Sequence, residues 1–215
     1  MARELFEVHS SMTNAIEGSS VIVDVNMERI CPNMTNAKFR EVVLSCRDEA
    51  ARLIDVRLTD LMRWSQVDKV RVEVWFGRSD EFTRGKLIKG LTAIARVLRG
   101  LNAHNFVRWD PTRATHISCT PNTRNAVGAV AEVCAPDTET HTIAIREAFC
   151  DMRPMSYAKD SMVSTLIHEA SHFEDTMATK DWKYFMRECL PLAEENPEQA
   201  IDNADSVAGY VIYSM

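Results

Sequence analysis

The run His168-Glu169-Ala170-Ser171-His172 places two imidazoles and a carboxylate side by side. On a helix, His168 and His172 stand one turn apart on one face, where both can reach a single Zn²⁺. Glu169, next to the first ligand, is then within reach of a water in the metal's open position. The chemistry depends on the spacing, because a shift of one residue turns a ligand about 100° around the helix.

A catalytic zinc takes three protein ligands and keeps a further position for water. No histidine follows His172 in the chain. Asp175 and Ala178 stand where a longer histidine-rich pattern needs Gly and its third His. Candidate third ligands downstream are Asp181 and, on a following helix, Glu188, Glu194 and Glu195. None of these glutamates has the Asn-Glu-x-x-Ser-Asp surroundings of thermolysin-type enzymes.

These groups need rigid carriers. Helical patterning predicts helices over 159–173, 182–194 and 197–213. The last has a strong start signal: Asn196 as N-cap, Pro197 at the first position and Gln199 at the third. With a helix starting at Trp182, Asp181 is also a good N-cap, a rival role to ligation. Upstream, apolar residues recur at helical spacing over 37–65, with Asn36 as the expected cap, and over 83–101, with Gly100 as the stop. Val70, Val72 and Val74 alternate with charged residues and read as a half-buried strand ending at Gly77. A short strand is expected at Val21, Val23 and Val25. Further short strands are expected over 106–109, 115–119, 127–134 and 140–145, where Asp-Pro, Pro-Asn and Ala-Pro turn signals intervene. The fold class is therefore α+β and helix-rich, with a small antiparallel sheet packed on long helices. His104, His116 and His141 fall in the strand region and read as structural or solvent-facing.

The 215 residues suit a single domain, and 26% charged with 46% hydrophobic residues allows a sizeable core. A net charge of −6 argues against a nucleic-acid partner. No apolar run is long enough for a membrane span. Residues 1–20 carry Arg3, Glu4 and Glu7 and no apolar core, so a Sec-type leader is not expected there. Cys31-Pro32-Asn33 reads as a turn, and Asn33-Met34-Thr35 is a glycosylation sequon that matters only in a eukaryotic secretory pathway. The six cysteines form no Cys-x-x-Cys pair, so a zinc knuckle is not indicated.

The stretch around Asp181 adds a resemblance. Leu166-Ile167-His168-Glu169-Ala170-Ser171-His172-Phe173, then Thr179-Lys180-Asp181-Trp182-Lys183-Tyr184, resembles the deuterolysin-like aspzincin metalloendopeptidases, including the peptidyl-Lys enzymes. Asn203-Ala204-Asp205 resembles their downstream Asn-Ala-Asp, and Trp75-Phe76-Gly77 and Ala148-Phe149 also have counterparts. The match covers the chain from about residue 43, leaving 1–40 as an N-terminal extension and 41–215 as a zincin-like peptidase domain. The resemblance implies one Zn²⁺ per chain held by His168, His172 and Asp181. It makes Glu169 the general base and acid, Tyr184 the oxyanion donor, and Asp205 part of an acidic pocket for a substrate lysine. Of the family's disulfides it retains only Cys46 with Cys119, since Pro121 and Glu147 stand where another pair would be.

Three positions depart from the pattern: Ala178 and Phe185 replace glycines around Asp181, and Ala208 replaces a glutamate of the lysine-specific members. The expected function is a zinc-dependent endopeptidase acting on protein or peptide substrates, on the N-terminal side of Lys. Its alternative is a catalytically silent zinc-binding interaction module. Expected settings are secretion without a recognisable leader or delivery as an effector, with an immunity or inhibitor protein as partner; a cytoplasmic site is the remaining option.

Overall fold

The structure is a computed structural model and describes residues 28–109, 119 and 128–213. The strand expected at Val21–Val25, the strand over 115–118 and His116 lie outside the described residues. The chain forms α1 (Asn36–Arg63), α2 (Gln66–Phe76), α3 (Glu81–Gly100), β1 (Phe106–Arg108), β2 (Ala131–Val133) and β3 (Ile143–Ile145). It continues through α4 (Glu147–Cys150), α5 (Met162–His172), α6 (Met186–Glu195), α7 (Pro197–Ala200) and α8 (Ala204–Ile212). This is the expected helix-rich α+β fold with one small sheet. The sheet order is β1-β3-β2, with β2 antiparallel to β3. The other pairing, β1 with β3, is parallel, so the sheet is mixed rather than the antiparallel one expected: β2 lies on the far edge, and the connection from β1 returns β3 beside it in the same direction.

Helix α5 runs through the middle, against α1, α3, α8 and β2. Its start is fixed by a reciprocal cap: Ser161 Oγ accepts from Ser164 N–H at 3.2 Å, and Ser164 Oγ accepts from Ser161 N–H at 2.8 Å. Every residue from Met162 to Ser171 is buried, as expected of a helix enclosed on all sides. The core around it includes Phe39, Leu61, Leu87, Ile94, Phe149 and Val207.

The segment expected as a strand at Val70–Val74 is helix α2. Ser65 N–H and Oγ both donate to Asp68 Oδ2, at 2.8 and 2.7 Å, which closes a capping turn. Val72, Trp75 and Phe76 then face the core at i, i+3 and i+4, while Val70 and Val74 face solvent. Gly77 ends the helix with φ +71°, and a Cβ there would stand 1.9 Å from Ala193 O. Trp75 packs onto Gly209 of α8, where a Cβ would lie 2.1 Å from the indole ring. This contact sets α8 against α2 and so fixes the helix that carries Asp205.

Other boundaries shift for local reasons. Thr35, not Asn36, caps α1: its Oγ1 accepts from Lys38 N–H at 3.1 Å, while buried Asn36 accepts from Ile30 N–H. Asp80 caps α3 by accepting from Thr83 N–H at 2.7 Å, and Gly100 is its last helical residue rather than its stop.

The expected Cys46–Cys119 disulfide is not formed. Cys31 pairs with Cys150 and Cys119 with Cys134, with Cα separations of 5.6 and 5.8 Å. Cys46 sits on the buried face of α1 near Pro154 O, and burial, then Glu49, pushes its thiol up to about 11. The Cys31–Cys150 bond ties the chain ahead of α1 to α4. Residues 31, 36 and 39 are buried, so part of the expected N-terminal extension is packed into the domain.

Candidate metal centre

His168 and His172 leave α5 on one face, as their spacing requires. Past His172 the chain turns back on the helix. Thr176 Oγ1 donates to Ala170 O at 2.8 Å, and Thr179 N–H donates to Ser171 O at 3.1 Å. Buried Thr179 places its carbonyl 2.9 Å from His172 Nδ1, and its hydroxyl lies 2.6 Å from Ser171 Oγ. Lys180 and Asn203 then form a short parallel bridge, with Lys180 N–H donating to Asp202 O and Ala204 N–H to Lys180 O.

That return delivers Asp181. Its Oδ1 lies 3.2 Å from His168 Nε2 and 3.4 Å from His172 Nε2, and the two Nε2 atoms are 3.1 Å apart. Among the described residues these three form the one group able to hold a metal ion. Asp181 does not cap a helix, because α6 begins only at Met186. The alternative ligands Glu188, Glu194 and Glu195 are not part of this group.

The tautomers follow from the outer partners. Asp205 Oδ1 lies 2.6 Å from His168 Nδ1, and Thr179 O faces His172 Nδ1. Both partners are acceptors, so each Nδ1 carries the proton and each neutral imidazole turns a lone pair inward at Nε2. Two lone pairs and a carboxylate oxygen then meet with no donor between them, a cluster that calls for a cation. Ligand atoms bound tetrahedrally to zinc at 2.0–2.2 Å stand about 3.3–3.5 Å apart, close to the spacing here. The residues fit a zinc ion.

The field has the same sign. Burial opposes charge on His168, yet the carboxylates of Asp181 and then Asp205 raise its pKa well above the ordinary value. On His172 burial is likewise outweighed, chiefly by Asp181. Burial pushes Asp181 up, but when no cation is bound His168 and His172 take up protons, and their N–H groups hold its carboxyl far below the usual range. Glu169, only 4% exposed, behaves oppositely: burial raises its pKa against the pull of His168 and His172. Its carboxylate accepts no hydrogen bond from the described residues.

Asp205 uses both oxygens inward, since Oδ2 accepts from Phe185 N–H at 2.6 Å while Oδ1 holds His168. Ala208 is buried in α8. Tyr184 is 45% exposed, in the irregular stretch between Asp181 and α6. Sequence reasoning missed Thr179 as the partner of His172. Its one visible signal was a Thr at fixed distance from Asp181.

Both positions where the sequence lacks an expected glycine have positive φ, Ala178 at +51° and Phe185 at +67°. An L-residue pays about 1–2 kcal/mol for the left-handed helical region. Ala178 is exposed, so Ala178→Gly loses no packing and should raise Tm by about 2–4 °C. Calorimetry of the metal-free protein checks this, and a fall in Tm would contradict it.

The lysine-specific metallo-endopeptidase profile of the aspzincins matches residues 63–212. The chain belongs to this aspzincin family. Over 47 residues, 22% of the chain, it is 53% identical to a peptidyl-Lys metalloendopeptidase of Pleurotus ostreatus. Over stretches of the same length it is 47% identical to the enzyme of that name from Armillaria mellea and 43% to that from Grifola frondosa. The matched stretches span 28%, 13% and 14% of those relatives. In three dimensions the aspzincin chain is similar to a zinc peptidase from Grifola frondosa, with a TM-score of 0.63 at 21% identity. That likeness covers 81% of this chain and 94% of the other, and speaks to the fold.

Proposed function

We propose that this aspzincin is a zinc-dependent endopeptidase holding one Zn²⁺ per chain through His168 Nε2, His172 Nε2 and Asp181 Oδ1. The observation that carries this reading is the convergence of those atoms next to buried Glu169, whose carboxylate accepts no hydrogen bond from the described residues.

Bound zinc lowers the pKa of water toward about 7 and polarises a scissile carbonyl. Glu169 takes the proton of the attacking water and returns it to the leaving amine; its raised pKa suits both transfers. Tyr184 donates a hydrogen bond to the developing oxyanion. Asp205 orients His168 and fixes its tautomer, a role its paired oxygens favour over a substrate pocket.

Cleavage is at lysine, as the family description and the names of the relatives suggest, and the proposed side is the N-terminal one. Two disulfides favour an oxidising, secretory setting, and no helix among the described residues is long and apolar enough to cross a membrane. Digestion of an unfolded protein, with mass spectrometry of the products, tests the reading. Cleavage should stop with a chelator, return with zinc, and leave products beginning with Lys. No cleavage by zinc-loaded protein overturns the peptidase reading, and cut sites without lysine enrichment overturn the specificity.

A further inference from the structure

Asn203 has no exposed surface, yet nothing in the chemistry above uses it. Its Oδ1 accepts two backbone N–H groups, from Trp182 and Lys183, both at 2.9 Å. Its Nδ2 donates to Ser206 Oγ at 3.1 Å and to Cys189 Sγ at 3.4 Å. Only an oxygen can receive two N–H groups, so this network fixes the orientation of the amide. The two amides belong to the residues just after Asp181 and just before Tyr184.

Elsewhere in that stretch, Trp182 Nε1 donates to Asp202 Oδ2 at 3.4 Å. The stretch lies outside helix and sheet, and the side chains of Trp182, Tyr184 and Phe185 are exposed, so apolar burial does not anchor it. Ahead of Asp181 the chain is held by the Lys180–Asn203 bridge, and beyond Tyr184 by Phe185 N–H on Asp205. Between these points the side-chain carbonyl of Asn203 holds two successive backbone amides. The same need accounts for the break between α7 and α8, where a single helix over 197–213 was expected: Asp202 O, Asn203 Oδ1 and Ala204 N–H all serve the segment carrying Asp181.

We infer that Asn203 is a positioning residue for the metal centre, holding the Asp181–Tyr184 backbone where Asp181 completes the ligand set. This rests on the zinc reading above. The two accepted N–H groups make up the function, and the two donated bonds serve stability alone. The isosteric Asn203→Asp keeps the acceptor and loses the donors, whereas Asn203→Ala loses both and leaves a small polar space that water can enter.

Zinc affinity, measured by chelator competition on the metal-free protein alongside its unfolding midpoint, separates the two. Asn203→Ala should bind zinc about 10–100-fold more weakly than wild type. Asn203→Asp should stay within about threefold of wild type, although burying its charge lowers its unfolding midpoint at least as much. Wild-type affinity in Asn203→Ala would overturn the inference. So would a loss of tenfold or more in folded Asn203→Asp, which decides the matter even if the alanine variant does not fold. Failure of the wild-type protein to take up zinc in the same titration would instead remove the zinc reading and this inference with it.

Discussion

Glu169→Gln should lower kcat/KM on a protein substrate by about 10²–10⁴-fold while the protein keeps its zinc. The amide has the shape of the carboxylate but cannot accept the proton of an attacking water. The three converging atoms belong to His168, His172 and Asp181, so the substitution leaves the ligand set whole. The carboxylate it replaces accepts no hydrogen bond from the described residues, so no partner is stranded. The variant also carries a stability signature. Burial raises the pKa of Glu169 above its unfolded value. The folded state therefore favours the protonated form, and the cost of the ionised form grows as pH rises from the unfolded pKa, about 4.3, through the folded one. Gln mimics the protonated form. In chelator at pH 6, Glu169→Gln should unfold at or above the wild-type temperature. Retained activity would show that another group is the base, and a marked drop in unfolding temperature would mean the carboxylate has a structural partner.

What the sequence disclosed follows the range of the interactions involved. The active helix was legible because His168 and His172 obey a local periodicity and their neighbours are apolar. The Asn196-Pro197 start was legible because capping is settled within one turn, as the 3.2 Å bond from Gln199 N–H to Asn196 Oδ1 bears out. Helix α2 was misread because alternating valines imitate a strand. The competing cue is Ser65 three residues before Asp68, a capping pair whose effect shows only in the fold. The cysteine pairing was beyond reach, since Cys31 and Cys150 are 119 residues apart and six cysteines allow many connectivities. The roles of Thr179, Asn203 and Asp205 were hidden as well. Asn203 and Asp205 act through hydrogen bonds to segments 20 or more residues away, and Thr179 through an irregular turn seven residues past His172 that no periodicity marks. Local propensity fails here because hydrogen bonds around the candidate metal centre override it.

Asp181→Asn should weaken zinc binding by more than the roughly 100-fold upper end usual for loss of an outer partner, because it removes charge from the ligand set itself. Equilibrium dialysis against a zinc buffer reads this directly. The same substitution should act on the metal-free protein in the opposite direction to Glu169→Gln. Asp181 has a folded pKa well below the unfolded value near 3.9, caused by His168 and His172 against the opposing effect of burial. Its contribution is therefore present above about pH 3.9 and is lost only as pH falls through the folded pKa. The pKa of His168 is raised, so its contribution is complete below about 6.5 and lost as pH rises through the folded value. At pH 6 both conditions hold, and Asp181→Asn in chelator should unfold below wild type. Two carboxylates at one centre are thus pushed to opposite sides of their ordinary pKa, as expected where one must stay ionised as a ligand and the other must take and return a proton. Unfolding temperatures of the two variants, measured side by side at pH 6 in chelator, should bracket that of wild type, with Asp181→Asn below it. If both moved the same way, the electrostatic division between ligand and base would be wrong.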